Sequence, residues 1–169
     1  MRIRMTILLI LVAFLGAVWS YEHFKDKGDF IDHSEIKVEQ GPPCVRLYDY
    51  LIKYSEKYGV PFQIAYGIAK SESEYRGPFH WSYDPKLTSS ALAYGAMQIQ
   101  APTATFIWKR KVTSKELLTD LEFNVETSMK IMQYLYKISG RWDVALGYYN
   151  TGKPVINGYS REIMRQYKN

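Results

Sequence analysis

Apolar positions recur at helical spacing through most of this chain. From Val45 to Tyr58 they fall at Val45, Leu47, Tyr48, Leu51, Ile52, Tyr54 and Tyr58, with Lys53, Glu56 and Lys57 between them. That spacing predicts an amphipathic helix, and Gly59 stops it. Pro61 suits the first turn of a second helix, whose stripe runs through Pro61, Ala65, Ile68 and Ala69 and then reaches Glu72. Thr113 and Glu116 have capping-box spacing ahead of Leu117 and Leu118. A long helix follows from Phe123 to Ile138, with Phe123, Met129, Met132, Leu135 and Tyr136 on one side and Gly140 at its end. Trp142, Ala145, Leu146 and Tyr149 repeat at i, i+3, i+4 and i+7, and Tyr159, Ile163, Met164 and Tyr167 mark a last short helix. Between Arg76 and Ala93 the pattern lapses, leaving room for a short hairpin or an extended loop. The expected fold class is therefore all-α, a compact helical domain.

The first 43 residues read differently. Arg2 and Arg4 precede an apolar run from Met5 to Trp19, a basic start followed by a stretch shorter than a spanning helix usually needs. Residues 1–20 are expected to be a secretory signal peptide or, because Trp19 is bulky where small residues are usual at a cleavage site, an uncleaved membrane anchor. Either reading exports the remainder to the periplasm, the cell envelope or the medium, with membrane contact only through residues 1–20. Residues 21–43 are polar, without sustained periodicity, and close on Gly41-Pro42-Pro43. They read as a linker. Residues 44–169 form the expected folded domain.

Charge and composition narrow the chemistry. The chain of 169 residues carries a net charge of +5. The linker holds three lysines against six acidic residues, and Arg2 and Arg4 contribute +2, so residues 44–169 carry +6. No Lys/Arg-rich helix or nucleic-acid motif accompanies that charge, and nucleic acid is not an expected partner. One cysteine, Cys44, excludes an intrachain disulfide framework and a cysteine zinc cluster, and His23, His33 and His80 lack ligand spacing. No metal and no cofactor are expected. The 15 Tyr and 4 Trp suit both a core and a sugar cleft.

Glu72 is the residue out of place. It continues an apolar stripe near a helix C-terminus, where burial and the negative end of the helix dipole both disfavour the charged carboxylate. An acid kept protonated near neutral pH is what general-acid cleavage of a glycosidic bond requires. Glu74, two residues on, points elsewhere.

Glu72-Ser73, Gly95-Ala96-Met97-Gln98, Tyr149-Asn150-Thr151-Gly152 and Tyr159-Ser160-Arg161-Glu162-Ile163 occur in that order. Together they resemble the soluble lytic transglycosylase family, whose fold belongs to the α+β goose-type-lysozyme-like superfamily and carries an active-site cleft. Pro102-Thr103-Ala104-Thr105 matches a further family element loosely, and Asn124 matches the family's Asn at the start of the long helix. The resemblance spans roughly residues 46–165. It implies cleavage of the β-1,4 bond between N-acetylmuramic acid and N-acetylglucosamine in peptidoglycan strands, with formation of 1,6-anhydro ends. Glu72 would be the single catalytic acid and base, supported by Ser73, Tyr149 and Tyr159. Met97, Gln98 and Asn150 would bind substrate.

The chain departs from the family at an insertion around Gly77–Pro85, with Ser89 lying 17 residues after Glu72, and at Leu92 and Tyr148. The insertion adds Trp81 and Tyr83 as sugar-stacking candidates and Asp84 as a candidate second carboxylate. Two other readings stay open at this stage. One is a goose-type muramidase that hydrolyses the same bond. The other is a non-catalytic wall-binding component. The small size is shared with family members that open the wall for secretion, conjugation or phage-type assemblies.

Overall fold

The computed structural model describes residues 41–167, all within a compact unit spanning 37–169. The apolar run at residues 5–19 and the linker up to residue 40 lie outside the described residues. Among the described residues no helix is long and apolar enough to cross a membrane.

Seven helices and one small hairpin make up the described residues. Helix α1 (Pro43–Tyr58) starts two residues before its apolar stripe, with Pro42 as N-cap, so the last residue of the expected linker is already helical. Proline is tolerated there because the first-turn N–H has no partner in a helix. Gly59 ends α1 in the left-handed region at φ 64°. Helix α2 (Phe62–Ser73) buries Ile64, Ala65, Ile68 and Ala69 and carries Glu72 in its last turn.

The hairpin joins β1 (Ala93–Tyr94) to β2 (Ile99–Gln100), with Ala93 opposite Gln100 and Tyr94 opposite Ile99. It begins where the expected hairpin window closes. The Arg76–Ala93 segment is instead turns and extended backbone, apart from a single bridge between Thr88 and Tyr94.

Helix α3 (Ala101–Trp108) was not legible in the apolar pattern. Its sequence, APTATFIW, offers no polar face to contrast with an apolar one. Helix α4 (Ser114–Thr119) carries the capping box complete: the Thr113 hydroxyl accepts from the Glu116 N–H, and the Glu116 carboxylate accepts from the Thr113 N–H. Helix α5 (Leu121–Ser139) is capped by Asp120 and ended by Gly140. Helices α6 (Trp142–Thr151) and α7 (Gly158–Tyr167) complete the domain.

The long helix α5 is the centre of the packing. It lies against α1, α3, α4, α6 and β2, while α2 packs on α1 and α7. Its buried side includes Val125, Met129, Ile131, Met132 and Leu135. Asn124, 0 % exposed, occupies the same buried side. Its Oδ1 accepts from the Met97 N–H at 2.9 Å, and its Nδ2 donates to the Tyr94 and Leu117 carbonyls at 2.8 and 2.9 Å. One side chain thus satisfies three backbone groups, one on β1, one in the turn that follows it and one on α4. Gly95, at φ 78°, sits directly on this amide. A Cβ there would collide with Asn124 Nδ2 and lie 2.6 Å from the Leu117 carbonyl oxygen.

Removing the Asn124 amide strands an N–H and two carbonyls in a dry interior. Asn124→Ala is therefore expected to lower the unfolding free energy by about 2–4 kcal/mol, read from urea denaturation curves. A loss below about 1 kcal/mol would mean that the turn is held by other contacts.

Candidate active site

A cleft of about 750 Å³ opens between the end of α2, the hairpin, α3, α5 and α6. Glu72 lines it, together with Gln98, Gln100, Thr103, Tyr149 and Asn150. Glu72 is the one residue with a formal charge among the described residues lining this cleft, although the domain carries +6.

Glu72 reaches the cleft because it extends the buried stripe of α2 to the helix end, where Glu74 adopts the left-handed region at φ 55° and turns the chain away. Burial pushes its carboxyl above the ordinary carboxylate range, and the Tyr159 hydroxyl pulls it part of the way back. The Tyr159 hydroxyl is itself buried and closes no hydrogen bond of standard geometry. It stands beside Glu72, close enough for each group to act on the other's proton.

Tyr149 also lies in the field of Glu72, yet its proton is committed elsewhere. Its hydroxyl donates to the Met97 carbonyl at 2.7 Å. A phenol has one proton, so the 2.9 Å contact with Ser128 Oγ must be a bond donated by the serine. Ser128 is fully buried on α5, one helical turn after Asn124. It gave no signal in the sequence, where it reads as one small residue in a helical run. The two tyrosines therefore differ. Tyr149 is a fixed strut between α5, α6 and the hairpin turn, whereas Tyr159 is the hydroxyl that can follow the charge on Glu72.

Gln98 holds the left-handed region at φ 49°, and its Nε2 donates to the Gly95 and Leu87 carbonyls. With both amide protons engaged, it offers a ligand its oxygen as acceptor. Asn150 Oδ1 accepts from Asn157 Nδ2 at 2.9 Å, which braces the loop before α7 and leaves its N–H donors for the cleft.

Four expected site residues are placed elsewhere. Met97 is wholly buried, and only its backbone serves the site, through the Tyr149 bond. Ser73 does not reach the cleft, because its hydroxyl donates to the Ala69 carbonyl and accepts from the Tyr83 hydroxyl at 2.7 Å. Tyr83 is buried against Tyr75, with ring centroids 5.1 Å apart, and has no face free for a sugar. Trp81 is 66 % exposed but outside the cleft lining, packed edge-on against Phe79. The insertion is thus an aromatic patch clamped onto the end of α2. Asp84 caps the Lys86 N–H and lines a separate cavity of about 270 Å³ with Arg46 and Lys86. Among the described residues no group of three or more His, Cys, Asp or Glu side chains could hold a metal ion.

Residues 49–168 match the family model of the Transglycosylase SLT domain. The chain belongs to this family. Among solved structures, the SLT domain is similar to the 70-kDa soluble lytic transglycosylase of Escherichia coli, with 28 % identity over 71 % of this chain and a TM-score of 0.53. A complex of the 70-kDa soluble lytic transglycosylase with bulgecin A matches with 27 % identity, the same coverage and the same TM-score. In each case the match spans 18 % of the larger protein. No curated protein matches by sequence. The helical architecture with its two-stranded hairpin is the lysozyme-like fold of SLT domains.

The position of Glu72 has a consequence for stability. In the unfolded chain Glu72 loses its proton in the ordinary carboxylate range, whereas in the folded domain it does so only at higher pH. Between those values the folded state binds more protons, so this residue makes stability fall as pH rises. Glu72→Gln removes the effect. The variant is expected to be more stable than the parent at about pH 8, with the difference vanishing at about pH 4, as read by urea denaturation. A difference independent of pH would contradict the raised carboxyl.

Proposed function

We propose that this SLT domain is a peptidoglycan lytic transglycosylase that uses Glu72 as its single acid and base. The observation that carries the reading is a lone, partly buried carboxylic acid in a cleft otherwise lined by amides, hydroxyls and apolar side chains. Such a lining suits an uncharged glycan. It gives no cation to a phosphate backbone.

The chemistry follows from one carboxyl group. Glu72, protonated at rest, gives its proton to the oxygen of the leaving N-acetylglucosamine as the C–O bond breaks. The muramoyl anomeric carbon passes through an oxocarbenium-like state. Glu72, now a carboxylate, accepts hydrogen-bond stabilisation from Tyr159. It then takes the proton of the muramoyl C6 hydroxyl, whose oxygen closes on the anomeric carbon and forms the 1,6-anhydro ring. The proton gained equals the proton given, and Glu72 returns to its resting state. The nucleophile is part of the bound substrate, so its effective concentration is very high and no site for a water is needed.

A hydrolase that activates water ordinarily needs a second carboxylate across the scissile bond. Among the described residues Glu72 is the only carboxylate of the cleft, and Asp84 lines a different cavity. The lyase reading is therefore favoured over the muramidase one. Export through the apolar segment that follows Arg4 belongs to the same proposal, because the substrate lies outside the cytoplasm.

Purified sacculi treated with the full chain are expected to release muropeptides lighter by one water than hydrolysis products, as read by mass spectrometry. Glu72→Gln should lower release at least about 100-fold, the scale of positioned acid–base catalysis. Products with free reducing ends would instead establish hydrolysis.

A further inference from the structure

Two exposed aromatic rings border the cleft, and neither belongs to the aromatic-rich insertion. Phe106 on α3 is 64 % exposed and Tyr134 on α5 is 39 % exposed. Their ring centroids are 5.7 Å apart and their planes meet at 71°, so together they form an open corner.

The corner is built by matched spacing on two helices. Thr103, Phe106 and Ile107 stand at i, i+3 and i+4 of α3, and Ile131, Tyr134 and Leu135 at i, i+3 and i+4 of α5. All six line the cleft. Residues so spaced share one helix face, and here the two faces adjoin where the rings of Phe106 and Tyr134 meet. The inner positions Ile131 and Leu135 are buried in the core, while the rings of Phe106 and Tyr134 stay open to solvent. Isolated exposed apolar residues are ordinary, but an exposed ring pair on the rim of a concave site marks a binding surface.

We propose that the Phe106–Tyr134 corner is a distal carbohydrate subsite, which packs the apolar C–H face of a sugar ring of the glycan strand away from the bond being cleaved. The inference rests on the glycan reading of the cleft. Two features select the ligand class. A pyranose presents an apolar face and a polar rim, and the corner supplies ring surface beside the amides of Gln98 and Gln100 and the hydroxyl of Thr103. The lining carries no lysine or arginine, which disfavours an anionic ligand. Position makes the subsite distal. Tyr134 follows Ser128 by six residues, about 9 Å along α5 at about 1.5 Å per residue. Ser128 holds the Tyr149 hydroxyl that faces Glu72. That rise exceeds the length of one sugar ring, and on it the corner is assigned to a unit of the strand other than the one at Glu72.

The test uses the full chain carrying Glu72→Gln, which binds without turnover, and a β-1,4-linked N-acetylglucosamine hexasaccharide followed by calorimetry or NMR titration. Adding Phe106→Ala is expected to weaken binding about tenfold, the scale of one lost ring contact, and Tyr134→Ala comparably. Phe106→Tyr, which keeps the ring, should bind as the parent does. Unchanged affinity in both alanine variants overturns the subsite while leaving the glycan reading of the cleft intact. Equal weakening by Phe106→Ala and Phe106→Tyr overturns it as well, since the ring would not be the cause. Failure of the parent Glu72→Gln chain to bind the saccharide at all overturns the glycan reading and the subsite with it.

Discussion

Asn124 and Ser128 stand one turn apart on the buried side of α5, and through them a single helix sets the position of two separate chain segments. Asn124 holds the turn between the strands by taking the Met97 N–H and giving protons to the Tyr94 and Leu117 carbonyls. The Met97 carbonyl, held in place by that bond, accepts the Tyr149 proton, and Ser128 closes the circuit by donating to Tyr149. The bonds of Asn124 to Met97 and Leu117 are fully buried and the others partly so, and a buried group left unpaired is costly. A shift of α5 by one residue would break all of them together. The walls around Glu72 therefore have one reference, which is the kind of support a positioned acid needs.

The distribution of charge completes that environment. The outer face of α1 and α5 gathers ion pairs, with Lys53 bound to Glu122 and Lys57 to Glu126, joined by hydrogen bonds from Tyr54 and Tyr58. Exposed pairs of this kind contribute little stability. Their placement still matters, because the helix that is charged on its outer face turns Ile131, Tyr134 and Leu135 to the cleft. With no cation beside it, the Glu72 carboxyl keeps the raised affinity for its proton that burial gives it. A lysine in that lining would favour the carboxylate and remove the acid.

The parts of the fold legible in the sequence were those governed by local rules. Gly59 and Gly140 end helices in the left-handed region, and Thr113 and Glu116 close a capping box, because each depends on residues within one turn. Glu72 was legible as a break in an apolar stripe, and resemblance gave the break its meaning. Helix α3 was not, since in APTATFIW two threonines among apolar residues mark no polar face to read, and with it went the Phe106–Tyr134 wall. Tyr83 was misread for a related reason. In a loop rich in aromatics, composition cannot tell a ring that faces solvent from one that packs inward. The choice was made by Tyr75 and the Ser73 hydroxyl, which capture Tyr83 from the end of α2. Ser128 and Tyr149 are separated by 21 residues, and nothing local to either marks the bond between them.

The division of labour between the two tyrosines follows from proton counting. A hydroxyl that already donates to a carbonyl cannot also donate to a carboxylate, so Tyr149 shapes the pocket but has no proton free for Glu72. Tyr159 closes no hydrogen bond of standard geometry, yet its hydroxyl lies close enough to Glu72 to hold the carboxyl below where burial alone would put it. An engaged Tyr159 would hold Glu72 as the carboxylate from the outset and weaken it as an acid. Burial and Tyr159 thus act on Glu72 in opposite directions, and burial is the larger of the two. Under the lyase reading proposed above, one carboxyl would suffice, because a substrate hydroxyl would take the place of the water that a second acid activates.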